Sequence, residues 1–325
     1  MQLRTLGKTG LLVSELGLGC ARIGGIFQQD SADFSRLIAS ARDAGINFFD
    51  TADIYSQGES EALLGRSFRG SRRDVVIASK AGYCLPAQRK LIARIKPLAR
   101  PVIRLLGLKR EKLPAAVRGT VTQDFSPAYL VAAVDASLRR LQTDYLDLLQ
   151  LHSPPADVVA RGDWLLALDG LKQKGKIRHY GVSVDTVEAG LAALEHAGVE
   201  TLQFRLSLID REPVPEILPK LVAKNVGGIA RECFAGGQLV KSEAELDLSR
   251  FVNSPEEQQA RALALASCRA QAAERGVSLV SLALDYALNA QGVSVALIGA
   301  RTPAQLAGIL AAKPQDAAPV TLASV

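Results

Sequence analysis

Asp50, Lys80, His152 and Ser183 each close an apolar run, and Tyr55 follows shortly after the first of them. The runs are 46–49, 75–78, 146–151 and 177–182. Ending an apolar run in charge is costly unless the charge lies at an open mouth and has partners. These residue types suit reduction of a carbonyl, which needs a hydride donor and a proton for the developing alkoxide. A free tyrosine, with a pKa of about 10, is a poor acid at neutral pH. A neighbouring lysine ammonium favours the phenolate and lowers that pKa, and an aspartate holds the ammonium in place. A nearby histidine orients the carbonyl oxygen or assists proton relay. Taken singly, the residues also read as a buried ion pair, a boundary tyrosine and a satisfied core histidine. Their joint occurrence at matching strand ends favours catalysis.

Parallel strands that repeatedly deliver polar groups at their C-terminal ends build a barrel active site. The surrounding pattern agrees. Residues 3–14 read as a hairpin about Gly7-Lys8-Thr9-Gly10. Strands are then expected near 16–19, 46–49, 74–79, 145–151, 177–182, 201–204, 227–230 and 293–298. Helices are expected over 31–44, 59–68, 127–141, 159–174, 186–196, 215–224, 255–275, 279–288 and 303–312. Ser126-Pro127 supplies an N-cap and a proline at the first helical position. Strands alternating with helices require right-handed parallel crossovers. The expectation is an α/β chain: one (β/α)8 TIM-barrel domain over 1–325, with an N-terminal β-hairpin and a long insertion after the third strand.

That insertion, 81–126, breaks the alternation and is too long for an ordinary connection. Arg89, Lys90, Arg94, Lys96, Arg100 and Arg104 begin a basic run that has only Glu111 as a nearby acid. Leu91, Ile95, Leu98, Val102 and Leu105 recur at helical spacing, which Pro97 and Pro101 would interrupt. A solvated lid is favoured over a dimer contact, an acidic-substrate gate or a membrane-surface patch.

Composition bounds the function class. The 325 residues, 48% hydrophobic and 22% charged, suffice for one large core. A net charge of +6 is compatible with an anionic ligand and is no evidence for nucleic-acid binding. Cys20, Cys84, Cys233 and Cys268 form no CxxC pair, which argues against a disulfide framework and against zinc. No apolar leader or membrane-length stretch is visible, so a cytoplasmic location is expected. Self-association stays open. Gly17-Leu18-Gly19-Cys20-Ala21-Arg22 lacks the third glycine of GxGxxG, so a Rossmann domain is not indicated.

Three motifs carry a resemblance. Asp50-Thr51-Ala52-Asp53-Ile54-Tyr55-Ser56-Gln57-Gly58-Glu59-Ser60-Glu61 is followed by Leu64-Gly65, then by Ala78-Ser79-Lys80, then by Asp144 to His152. In order and spacing this set resembles the aldo-keto reductase superfamily, from the hairpin to the last helix. The resemblance implies Tyr55 as general acid/base, Lys80 and Asp50 as its tuning pair, and His152 on the substrate side. It implies an extended NADPH or NADP across the barrel mouth, with NADH or NAD an open alternative, and a small carbonyl or alcohol substrate. Ser183 and Gln203 would hold the carboxamide and Arg231 would pack on the nicotinamide. Gly19, Cys20 and Asp50 would also border the cofactor. Glu232, Phe234, Gly236 and Gln238 fall in the pyrophosphate loop, and Gly299, Arg301 and Gln305 in the adenosine-end loop. Arg301 has the charge and donor fork for a 2′-phosphate, and also reads as a plain surface residue. Ser183 also reads as a helix cap and Gln203 as a partner for buried backbone.

Departures from the family pattern are local. Val184 stands where relatives have Asn, Glu232-Cys233-Phe234-Ala235 where many have Ser-Pro-Leu-Gly, and Gly308-Ile309 where a Glu-Asn pair holds adenine. A carboxylate at Glu232 would repel phosphate unless it pairs with Arg231 or turns away. Fewer adenine contacts leave the cofactor preference open. They also keep alive a second function, a dinucleotide-binding sensor or regulatory subunit with little turnover.

Overall fold

The computed structural model of the chain describes residues 1–21, 31–84 and 121–314. Its strands are β1 (Leu3–Thr5), β2 (Leu12–Ser14), β3 (Leu16–Gly19), β4 (Phe48–Asp50), β5 (Val76–Ala81), β6 (Tyr83–Cys84), β7 (Thr122–Gln123), β8 (Leu146–His152), β9 (Ile177–Ser183), β10 (Thr201–Arg205), β11 (Gly227–Arg231) and β12 (Val293–Ile298). β3, β4, β5, β8, β9, β10, β11 and β12 pair in parallel in that order, and β12 closes back on β3. The expected barrel and its hairpin are both present.

Side chains alternate across each strand, so every second residue enters the barrel. Phe48, Val76, Ala78, Leu148, Ile229, Val295 and Leu297 form an inner cluster. Leu6 and Val13 of the hairpin complete it, which closes the end where the strands begin. The hairpin is fixed there by Lys8 N–H on Asn225 O at 2.7 Å and Ser14 N–H on Asn47 Oδ1 at 2.7 Å. A larger cluster lies between the strands and the surrounding helices. The helix Pro127–Leu141 shows how that layer arises: Leu130, Ala133, Val134, Ser137 and Leu141 fall on one buried stripe. As expected, Ser126 accepts from Tyr129 N–H and Pro127 opens the helix.

One element differs from expectation. The single helix over 159–174 is two helices, Ala156–Arg161 and Leu165–Gln173. Gly162, at φ 71°, ends the first in the left-handed region that glycine tolerates. The turn buries Trp164, which meets Tyr180 and His196 edge-on.

The insertion leaves and re-enters the barrel at one place. β6 and β7 pair antiparallel, with Tyr83 opposite Gln123. The basic run and its apolar stripe lie outside the described residues.

Candidate active site

The alternation that fills the barrel also sets its rim. On β4 the inward residues are Phe48 then Asp50. On β5 they are Val76, Ala78 and Lys80, and on β8 Leu148, Gln150 and His152. Each strand therefore ends in a polar inward residue above an apolar layer. Lys80 Nζ donates to Asp50 Oδ2 at 2.6 Å, to Thr51 O at 3.0 Å and to Tyr55 OH at 3.4 Å. Lys80 and Asp50 are buried. Removing both charges from water costs several kcal/mol per ion, so such a pair is weak evidence for stability. Its placement calls for a different explanation.

Tyr55 reaches the ammonium because the chain after β4 is tied down along β5. Thr51 N–H bonds Ala78 O at 2.8 Å and Asp53 N–H bonds Lys80 O at 3.1 Å. Thr51 Oγ1 meets Ser60 Oγ at 2.9 Å, and Ser60 Oγ donates to Cys20 O at 3.2 Å. Ser56 and Gln57 then take left-handed conformations, which turn the chain into the helix Glu59–Ser67. Glu61, wholly buried, accepts from Ser79 Oγ and from Arg140 Nε, each at 2.6 Å. Ser60 and Glu61 thus brace the turn that presents the phenol.

Burial pushes the Tyr55 phenol above its ordinary range, although the Lys80 ammonium pulls it down. The expected lowering by lysine is present, but desolvation outweighs it. The phenol therefore keeps its proton through neutral pH, the form an acid needs. Burial acts to lower the Lys80 ammonium, but Asp50 and Tyr55 together hold it above its usual value. Burial, with Lys80 and Arg231 nearby, keeps His152 well below the ordinary imidazole range, so the ring is neutral. Among the described residues the buried His152 Nδ1 has no hydrogen-bond partner, and the ring meets Tyr55 and Tyr83 edge-on at 5.7 and 4.7 Å.

From this cluster a cleft of about 1250 Å³ runs across the barrel mouth to Arg301, Ile309 and Ala312. A model of the Aldo/keto reductase family matches residues 15–316. The chain belongs to the aldo/keto reductase family. It is thereby an oxidoreductase of carbonyl and alcohol groups.

Relatives of this aldo/keto reductase include the pyridoxal 4-dehydrogenase of Microbacterium luteolum, 30% identical across 93% of this chain and 90% of that one. The L-galactose dehydrogenase of Arabidopsis thaliana is 28% identical across 94% and 86%. Among solved structures, a holo-form aldo-keto reductase of Bacillus halodurans superposes with a TM-score of 0.75 at 29% identity, covering 99% of this chain and 93% of the other.

Gly19, Asp50, Ser183, Gln203, Arg231, Glu232, Phe234, Gly236, Gly299, Arg301 and Gln305 line the cleft of this aldo/keto reductase, as do Tyr55 and His152. Lys80 lies behind them. Cys20 is buried, its backbone N–H on Asp50 O at 2.8 Å. The Gln238 amide is also buried, donating to Ala235 O at 2.7 Å and accepting from Arg261 Nε at 2.7 Å. Gln305 Oε1 accepts Arg301 N–H at 2.8 Å, just before Thr302 caps the last helix. Glu232 is paired: Arg231 reaches it at 2.7 Å and Arg205 at 3.2 Å. Arg231 also bonds Asp185 and, at 3.0 Å, Val184 O. Residues of the cleft that sequence reasoning missed include Asp185, Lys241, Phe251 and Val280. Lys241 and Phe251 follow the glycine-rich turn but sit in no motif, so no spacing singles them out.

Proposed function

We propose that this protein interconverts an aldehyde or ketone and an alcohol with a nicotinamide dinucleotide, Tyr55 acting as general acid/base. The observation that carries the reading is the line Asp50–Lys80–Tyr55, 2.6 then 3.4 Å, at the mouth of the cleft. The donor set fits the dinucleotide. A hydroxyl and an amide, Ser183 and Gln203, line the same cleft as Tyr55, and Gly19, Gly236, Gly237 and Gly299 line it with bare backbone. Bound there, the nicotinamide supplies or accepts the hydride.

The chain's own residues handle the proton. Tyr55 donates it to the oxygen of the carbonyl being reduced, and Lys80, held by Asp50, stabilises the phenolate left behind. His152, being neutral, offers a hydrogen bond to the same oxygen without adding charge. For alcohol oxidation the roles reverse. Because burial raises the phenol, oxidation should quicken as pH rises, whereas reduction holds through the neutral range. Arg301 and Lys241 put two cations in the lining of the cleft, which suits a 2′-phosphate.

Steady-state assays over a carbonyl and alcohol panel test this reading. Tyr55→Phe should lower kcat by about 10²–10⁴-fold with cofactor affinity retained. Lys80→Met should lower kcat and shift the pH profile of oxidation to higher pH. Dinucleotide binding without turnover of any substrate would point instead to a sensor. Titration followed by Trp164 or nicotinamide fluorescence should give a tighter Kd for NADPH than for NADH, and equal values would remove the 2′-phosphate role of Arg301 and Lys241.

A further inference from the structure

Asp50 faces more donors than its ion pair needs. Its Oδ2 takes Lys80, while Oδ1 faces two amides, Gln203 Nε2 at 2.8 Å and Gln150 Nε2 at 3.5 Å. The two glutamines are placed differently. Gln203 lines the cleft and its Oε1 accepts Ser183 Oγ–H at 3.0 Å. Gln150 is fully buried on β8, in register with Lys80, and two residues before His152. Among the described residues its buried Oε1 has no hydrogen-bond partner. Turning the amide over would set an oxygen against the Asp50 carboxylate, so the orientation is fixed by the network.

A buried amide with an unmet oxygen is destabilising, a cost that an apolar residue of similar shape avoids. Packing of the barrel interior therefore does not explain Gln150. A second donor for Asp50 does. An amide-bearing ligand that hydrogen-bonds Ser183 or Gln203 competes for the groups that now hold Oδ1. With Oδ1 left without a donor in a buried site, the carboxylate would turn, and the ammonium on Oδ2 would follow it away from Tyr55. Gln150 needs to move only a fraction of an ångström to reach the usual N–H···O separation of about 2.9 Å, and among the described residues no second side-chain bond restrains it.

We propose that Gln150 is a positioning residue: it holds Asp50 on Lys80 when Gln203 is drawn toward a bound nicotinamide carboxamide, and so keeps the phenol of Tyr55 coupled to the ammonium. This rests on the oxidoreductase reading. Among the described residues, the ionisable groups facing Tyr55 are Lys80 on β5, Asp50 on β4, His152 on β8 and Arg231 on β11, with Cys20 beyond Asp50 after β3. Only the Asp50–Lys80 arm contains Gln150.

The test uses full-length protein carrying fluorotyrosine at position 55, a more acidic phenol, titrated by fluorine NMR with and without NADP⁺ or NAD⁺. With dinucleotide bound, Gln150→Met should lower the ionisation constant of the phenol about tenfold relative to wild type. Without it the two proteins should agree within about twofold. Gln203→Ala offers a second route that needs no ligand. It should leave the phenol near wild type because Gln150 takes over, whereas the double variant Gln150→Met/Gln203→Ala should show the tenfold loss. A Gln203→Ala protein that shows the full loss, or a Gln150→Met shift that is absent with dinucleotide or equal in both states, overturns the assignment. In turnover, Gln150→Met should lower kcat about tenfold with KM unchanged. A wild type inert toward every carbonyl and alcohol would sink the oxidoreductase reading and leave the NMR midpoints to decide Gln150.

Discussion

Inside the motif that carries Tyr55 sits a second ionisable group with a different behaviour. Among the described residues the buried Asp53 Oδ1 has no hydrogen-bond partner. Burial pushes its carboxyl up to about 7, with Glu61 adding to the rise and Arg140 opposing it. A carboxyl raised in the fold binds its proton more tightly there than in the unfolded chain. Stability should therefore fall as pH rises from about 4 to about 7. Asp53→Asn removes the ionisation but keeps the shape. The wild-type-minus-variant stability difference from urea melts should decline by on the order of 1–3 kcal/mol across that window, and a flat difference would mean that Asp53 ionises normally. His152 works in the opposite sense. Its depressed pKa favours the fold as pH rises toward the ordinary imidazole value, which is why the difference and not the raw curve is read. Glu232 shows the same dependence on neighbours: a carboxylate that would repel phosphate is matched by Arg205 and Arg231.

The helix Glu59–Ser67 must lie close to the end of the helix Pro127–Leu141 for Glu61 to reach Arg140. Gly65 permits it. A Cβ there would stand 2.3 Å from Leu141 O, a backbone atom that cannot swing aside. Helix propensity alone predicts that Gly65→Ala stabilises by about 0.5–1 kcal/mol. The backbone clash outweighs that gain, so the substitution should destabilise by about 1–3 kcal/mol. It should also loosen Glu61 and the turn that presents Tyr55, so kcat should fall with stability. A more stable variant of unchanged kcat would show that the helices separate freely. In the loop after β11, Glu232, Ala235, Gly236 and Gly237 all have positive φ, which folds this segment back along the cleft.

At the scale of the molecule, the two barrel ends have separate duties. Leu6 seals the end where the strands begin, wholly buried among Phe48, Val76, Ala78, Leu148, Ile229 and Val295. Leu6→Ala should cost about 2–5 kcal/mol in denaturant unfolding. The site lies at the other end, so kcat of the folded fraction should stay within about twofold; a proportional loss of kcat would mean that the inner layer couples the ends. Among the described residues no helix is long and apolar enough to cross a membrane.

The sequence by itself determined the architecture and pointed to the rim where an acid is expected. Periods of two and near four residues separate strands from helices, and polar residues closing apolar strands reveal one functional rim, because burial forbids them elsewhere. Asp50, Lys80 and His152 were legible for that reason, and Tyr55 through the motif that follows the first of them. Tertiary structure alone decided that burial outweighs the ammonium in setting the Tyr55 phenol, that Glu232 is neutralised by arginines from two strands, and that Gly162 divides a helix to bury Trp164. It alone also brought Gln150 and Gln203 onto one oxygen of Asp50. Each depends on atoms distant in sequence meeting at a few ångströms, where desolvation and pairing vary far more steeply than residue type or local periodicity records.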